Sequence, residues 1–360
     1  MSNDIERLIT TVDSAIRRRP DYPYHLVGLA EIVVQKKYPL RGAELARRAM
    51  AEGGNDPATT ARARRLLTSL IPGYHLPMMN DARRNAAWDS ALRRTIRPGM
   101  QVLEIGTGAG MLALMAARAG AEKVITCEAN PVVAAMAREL AARNGYADRV
   151  EVIDKRSEKL VVGIELERPA DLLFCDIFGD RLLDFDPLPA LADARKRLLM
   201  KDAPVVPARG ILRVALAHWK DYRRMSHIDT SGGFDLASFA DFAGRAIAIE
   251  IGDPAIRLMS GAQDIFHFDF SAPSHPPTGR SEVSCEATTA GEANGVARWI
   301  RLELDDQIAL EARPEQGASF FSRLHFCPLP QPLQLRIGER LDVGTAYRGE
   351  LVETWLAASK

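Results

Sequence analysis

Three glycines stand at alternate positions, Gly106, Gly108 and Gly110, directly after the apolar run Val102-Leu103-Glu104-Ile105. Glycine lets a backbone turn tightly and come close to a ligand. The apolar helix pattern that follows, residues 111–119, offers free N–H groups at its start. An acid, Glu104, precedes the glycines, and a second, Glu128, ends the next strand-like run, residues 123–127. A carboxylate in the position of Glu128 suits the hydroxyls of a ribose. More acids close the later runs: Ser157-Glu158 follows residues 150–154, and Asp176 ends the segment DLLFCD. Asp184 and Asp186 come just before Pro187. In open parallel sheets ligands lie outside the carboxyl ends of the strands. Glu128, Glu158 and Asp176 are therefore expected on one rim.

The glycine spacing bears on the ligand. A dinucleotide fold prefers Gly-x-Gly-x-x-Gly with a pyrophosphate on the helix N-terminus. Here the pattern is Gly-x-Gly-x-Gly behind an acid. That is the pattern of enzymes that use S-adenosylmethionine (AdoMet), whose ligand has a cationic sulfur and no phosphate. The spacing disfavours a nicotinamide oxidoreductase. The plain alternative is a strand-to-helix turn that uses glycine only for close packing.

The elements that must position these groups follow from periodicity. Strand, turn, helix and strand alternate through residues 101–200, which predicts an α/β fold with a Rossmann-like parallel sheet. Residues 131–144 read as a helix with Pro131 near its first position. Asp81 reads as the N-cap of a helix carrying Arg84 and Trp88 on one face. Residues 1–71 read as helices, with a hairpin like that of a tetratricopeptide repeat; they serve either as a platform for a partner or as a cover for the next domain. Residues 72–207 read as the AdoMet-binding domain and 208–360 as an antiparallel β domain, barrel-like, with an inserted arm at about 220–261. A helical piece is expected at 234–242, and residues 347–355 suit a helix or a strand.

Composition narrows the remaining possibilities. The 360 residues are 47% hydrophobic and carry no formal net charge, so no bulk nucleic-acid or acidic-lipid binder is indicated. Local basic runs such as Arg17–Arg19 read as solvated helix faces. The four cysteines form no CxxC pair and imply no disulfide framework. The seven histidines show no metal-ligand spacing, so no metal is expected. No signal peptide or membrane span is visible, and a reducing cytoplasmic setting is the expected default.

The order of helical arm, AdoMet unit, acidic loop and β domain resembles the protein arginine methyltransferase family, most of all its divergent branch with the type III monomethylating enzymes. The likeness rests on Met78-Met79-Asn80-Asp81 with Arg84-Asn85, on VLEIGTGAGMLALMAARAGA, on Glu128, on Ser157-Glu158 and on CDIFGDRLLDFDPLP. It covers about residues 74–217 well and the β domain weakly, while the N-terminal helices are similar to a family branch that carries tetratricopeptide repeats. The resemblance implies a class I AdoMet-dependent methyltransferase. Met78 would lie near the sulfonium, and Arg84 would pair with the AdoMet carboxylate. Gly106, Gly108 and Gly110 would form the methionine-side turn. Glu128 would take the ribose and Glu158 the adenine amino group. Asp176 would match the first acid of the family's double-glutamate loop.

The chain departs from the family at that loop. Its first acid is Asp176, shorter than glutamate by one carbon–carbon bond, about 1.5 Å. Phe185 stands where the second glutamate would align, flanked by Asp184 and Asp186. Ser319-Phe320-Phe321 stands where the family has Thr-His-Trp. The mechanism that the resemblance implies places two carboxylates, Asp176 with Asp184 or Asp186, around an arginine guanidinium, aiming one nitrogen and localising charge on the others. Asp184 and Asp186 otherwise serve only to open the loop before Pro187. The expected acceptor is arginine in a protein or peptide, with S-adenosylhomocysteine as coproduct. Two alternatives are a small-molecule or amino-acid N-methyltransferase and a non-catalytic AdoMet-binding protein. The resemblance also implies a homodimer through the arm.

Overall fold

The computed structural model describes residues 3–242, 244–272, 274–314 and 323–357. The Ser319-Phe320-Phe321 expectation lies outside them. Four helices come first: α1 (Asn3–Ile16), α2 (Tyr22–Gln35), α3 (Pro39–Glu52) and α4 (Pro57–Ser69). Proline opens the last two, where its missing N–H costs nothing, and Asp56 caps α4 by accepting from the N–H groups of Ala58 and Thr59. Leu26, Ala30 and Val33 of α2 bury against Leu45, Ala46 and Ala49 of α3 in one apolar cluster with Ile5 and Ile9. The hairpin closes tightly at Gly42, where a Cβ would come within 2.3 Å of Val34 Cγ2. This segment packs onto the rest of the chain through Arg47, which reaches Glu139 at 3.4 Å, and through Leu70 O, which accepts from Asn130 Nδ2 at 2.9 Å.

Two further helices, α5 (His75–Met79) and α6 (Ala82–Thr95), lead into the sheet. Asp81 caps α6 by accepting from Arg84 N at 3.0 Å, as its position in the sequence suggested. The sheet holds β1 (Gln101–Ile105), β2 (Lys123–Cys127), β3 (Val150–Ile153), β4 (Leu172–Cys175) and β5 (Val205–Val206), all parallel, in the order 3-2-1-4-5. Helices alternate with them: Met111–Arg118, Pro131–Arg143 and Pro187–Arg197. Every residue of β1 is buried because it is the central strand with helices on both faces. The register sets the site. Ile105 lies beside Cys127 and Cys175, so Gly106, Glu128 and Asp176 each stand one residue past the strand ends, side by side. That is where the strand order reverses.

Past cis-Pro207 the chain becomes antiparallel. Strand Gly291–Glu303 pairs with Arg209–Trp219 on one side and Leu324–Leu335 on the other, within a seven-stranded sheet. A three-stranded sheet adds Thr278–Glu286, Arg340–Arg348 and Leu351–Leu356. Residues 347–355 therefore belong to strands and the turn between them. The helical piece expected at 234–242 is a short strand, Phe234–Asp235, followed by a 3-10 turn, Ala237–Phe242. Strands Gln263–Asp269 and Thr278–Glu286 had no reading in the sequence. A bulge breaks the alternation of the first, and the second alternates in burial but has glycine and serine at two of its covered positions.

Candidate active site

The rim described above opens into a cavity of about 690 Å³. Its floor is the glycine turn. Gly106, Gly108 and Gly110 all have φ between 52° and 83°, the left-handed region that favours glycine. A Cβ on Gly106 would meet Ile177 Cγ2 at 2.5 Å, and one on Gly108 would meet the His75 ring at 3.5 Å. Gly106 N and Thr107 N both donate to Cys127 O, which ties the turn to the end of β2. Glu128 accepts from Gly108 N at 3.1 Å and from Asn130 N at 2.8 Å, so backbone donors hold both of its oxygens at the cavity wall.

Glu104 is placed differently. It is 1% exposed and lies under the turn, not among the residues that line the cavity. Burial pushes its carboxyl up to about 8, with Glu128 and Asp176 adding to the rise, while the hydrogen bond from Thr126 and the nearby Arg84 lower it. Its Oε1 has no hydrogen-bond partner among the described residues. At neutral pH it is therefore largely a neutral acid beneath the ligand floor.

Met78, on α5, lines the cavity beside Tyr74 and His75. His75 is buried, its Nδ1 unpartnered among the described residues, and burial lowers its pKa. Neither Tyr74 nor His75 was singled out in the sequence; the only signal was that His75 stands one helical turn before Met78. Arg84 does not line the cavity. It is 3% exposed and donates from Nε to Asp176 Oδ2 at 2.8 Å, with a second contact from Nη2, while Nη1 donates to Asn85. The arginine expected at a cofactor carboxylate thus grips the first acid of the loop. Ser157 is buried and Glu158 half-exposed at the far end of the cavity, where Arg156 pairs with Glu158 and holds its pKa below the usual carboxylate range.

The loop from Asp176 to Pro187 forms the other wall. Leu182, Phe185 and Asp186 all have positive φ, at roughly 1–3 kcal/mol of strain each. Asp176, at the end of β4, and Asp180 and Asp184, in the loop, all line the cavity. Each of them contacts an arginine of this chain. Asp176 holds Arg84, Asp180 reaches Arg323 Nε at 3.5 Å, and Asp184 accepts from Arg181 Nε at 2.7 Å. Gly179 leaves room for this: a Cβ there would sit 2.3 Å from Asp184 Oδ2. Asp186 is exposed, starts the next helix and is not among the lining residues. Phe185 lines the mouth and is 64% exposed. The β domain closes the cavity with Glu250, Arg323, His325 and Glu350. These residues lie far along the chain from the motifs, so no local pattern marked them. Burial and the nearby Arg298 push His325 down to about 4, which keeps its ring neutral at pH 7. Among the described residues no group of three metal-ligating side chains occurs, and no helix is long and apolar enough to cross a membrane.

A glycine turn, a backbone-held carboxylate at the end of β2 and acids that converge on the same cavity are compatible with an AdoMet site. Comparison with known proteins agrees with that chemistry. Residues 90–214 match the family described as ribosomal protein L11 methyltransferase (PrmA). The chain is 33% identical over 272 residues to an arginine N(omega)-methyltransferase of Streptomyces achromogenes subsp. streptozoticus, covering 75% of each chain. It is 30% identical over 275 residues to protein arginine N-methyltransferase 1.6 of Arabidopsis thaliana, covering 71% of this chain and only 37% of that one. Among solved structures, that of the Trypanosoma brucei PRMT1 enzyme–prozyme heterotetrameric complex with AdoHcy superposes with a TM-score of 0.71 at 22% identity, over 78% of this chain and 91% of that one. The architecture is the class I methyltransferase fold with a C-terminal antiparallel sheet domain.

Proposed function

Because the chain belongs to the arginine N-methyltransferase family, we propose that it methylates a guanidino nitrogen of arginine, with AdoMet as the methyl donor. The observation that carries this reading is the convergence of Asp176 and Asp184 on one cavity beside the glycine turn. When bound, AdoMet supplies a methyl group on a cationic sulfur; transfer leaves a neutral thioether, and the methylated nitrogen gives up one proton.

The chain's own residues account for the rest. An arginine side chain is charged at any ordinary pH, so its nitrogens are poor nucleophiles until the charge is drawn to one side. Asp176, immobilised by Arg84, offers one oxygen at a fixed angle to an incoming guanidinium. Asp184 is the second acid in this reading, and it exchanges Arg181 for the substrate when the site fills. Positioning the nitrogen against the methyl supplies much of the rate. Glu128 fits the ribose, Gly106 and Gly108 the methionine chain with Gly110 behind them against Ala137, and Ser157 and Glu158 the adenine. Glu104 fits as a support beneath the turn. Arg84 retains N–H groups beyond those given to Asp176 and Asn85, which suits a cofactor carboxylate.

The same reading divides the chain into a helical segment at 1–71, a methyltransferase domain at 72–207 and a substrate domain at 208–360. The arm at about 220–261 exposes Phe234, Phe239 and Phe242, which suits contact with a second copy. A cytoplasmic setting fits the four buried, unpaired cysteines. The acceptor arginine belongs to a protein, a peptide or a free guanidino compound. The names of the similar proteins divide in the same way, arginine for the Streptomyces protein and protein arginine for the Arabidopsis one.

The test uses AdoMet with a labelled methyl group, the purified protein and arginine-containing acceptors, with Asp176→Ala alongside. Labelled methylarginine that is lost in the variant supports the reading. Label on another functional group, or a variant that turns over normally, sinks it.

A further inference from the structure

The substrate end of the cavity carries charges that a pair of acids around a guanidinium does not use. Arg323 immediately precedes the strand Leu324–Leu335 and lines the wall, half-exposed. Asp180 Oδ2 lies 3.5 Å from its Nε, and Glu250 Oε1 lies 3.7 Å from the same nitrogen. All three face the cavity, and Glu250 is 78% exposed. Among the described residues this gives a cation with two carboxylates beside it, charges of both signs that suit a zwitterion better than a neutral peptide backbone.

A second observation lies behind the same wall. Arg298 pairs across the strands with His325 and is 1% exposed. Its Nη1 donates to Val352 O and Thr354 Oγ1, both at 3.0 Å and both uncharged, while Nε and Nη2 have no partner among the described residues. A buried guanidinium without a counter-ion is costly and leaves a positive potential at the nearest surface. That surface is His325, whose own Nε2 is buried and unpartnered. Asp184 is close enough to stabilise the Arg298 charge, but Arg181 already holds it.

We propose that Arg323 receives the α-carboxylate of a free amino acid, with Glu250 and Asp180 taking its α-ammonium and the buried Arg298 adding positive potential through the neighbouring His325, so that the acceptor is L-arginine itself. This rests on the guanidinium reading of the same site and adds the substrate class. Charge-assisted pairs are the strong ones in a partly dried pocket, and the loss of one such pair separates substrates sharply. A cavity of about 690 Å³ is within the roughly 300–1,000 Å³ that encloses small ligands.

The experiment is calorimetric titration of the protein saturated with S-adenosylhomocysteine. Four ligands separate the groups: L-arginine, agmatine (no carboxylate), 5-guanidinopentanoate (no amine) and an arginine peptide blocked at both ends. L-arginine is expected to bind at least tenfold more tightly than agmatine or the peptide. Arg323→Gln removes that advantage and leaves agmatine within about twofold of its original affinity. Glu250→Gln, at an exposed side chain, weakens L-arginine at least threefold and spares 5-guanidinopentanoate. Equal binding of peptide and L-arginine, or no binding of any of the four, overturns the proposal. So does an Arg323→Gln effect that is the same on every ligand, which would mark Arg323 as a tie between loop and strand. If Arg323→Gln does not fold, the ligand series on the unaltered protein and the Glu250→Gln result decide. Discrimination without any transfer of label to L-arginine would sink the methylation reading and leave the clamp standing.

Discussion

Arg84 and Asp176 stand 92 residues apart in the chain and form a buried ion pair, with side chains 3% and 8% exposed. The pair joins the helix after the N-terminal segment to the acid at the end of β4. Breaking such a pair strands a charge in a low dielectric, at roughly 3–5 kcal/mol. Arg84→Met is expected to lower unfolding stability by about that amount, read from urea denaturation. A loss below about 1 kcal/mol would mean that water or a neighbour replaces the arginine.

Glu104 ties stability to pH. Its folded-state pKa is raised from 4.5 to about 8, so the folded chain holds a proton that the unfolded chain releases in that window. Its contribution is complete below about pH 4.5 and is lost as the pH rises through 8. The slope from this group is about 1.4 kcal/mol per pH unit at most. Glu104→Gln should flatten the stability curve between pH 5 and 8. Parallel curves for variant and original would show that Glu104 keeps an ordinary carboxylate pKa.

Gly179 lets the acidic loop fold back on itself. In Gly179→Ala the new Cβ lies within 2.3–2.7 Å of Asp184 side-chain atoms, so the acid must shift. Turnover is expected to fall at least tenfold, about 1.4 kcal/mol in the barrier. S-adenosylhomocysteine affinity is expected to hold, since the cofactor end is untouched. Equal loss of both would point to collapse of the whole loop.

Glu128 has a double task, holding Gly108 N and Asn130 N and facing the cavity. Glu128→Ala should weaken S-adenosylhomocysteine at least tenfold by calorimetry while the far-ultraviolet spectrum is retained. An unchanged dissociation constant would remove it from the ribose position.

The arm offers a fifth site for mutation. Phe239 and Phe242 are 69% and 81% exposed and touch each other at 5.7 Å between ring centres. Exposed aromatic pairs of this kind suit an interface. Sedimentation is expected to show a dimer that Phe239→Asp with Phe242→Asp converts to monomer. A monomeric original protein would end that reading.

Read alone, the chain determined what depends on near neighbours. Alternation and glycine spacing specify β1, the turn and its helix, since both follow from residues within a few positions of one another. Pro131 and Asp81 announce helix starts because a cap acts only on its own first turn. The parallel register then follows from burial, and it sets Gly106, Glu128 and Asp176 abreast. Strand Thr278–Glu286 was not legible, because five of its nine residues are exposed and its covered positions Gly279 and Ser281 carry no apolar contrast.

Only the tertiary structure decided how the charges are shared out. Nothing near Arg84 in the sequence marks Asp176 as its partner, and nothing near Asp184 separates it from Asp186. Backbone strain at Phe185 and Asp186 turns one acid into the cavity and the other to solvent. Arg323, His325 and buried Arg298 reach the same wall because two antiparallel strands pair Arg298 with His325. Charge pairing acts through space over a few ångströms, whereas the readable patterns act along the chain. The fold and cofactor turn were therefore written locally, and the substrate end was assembled by packing.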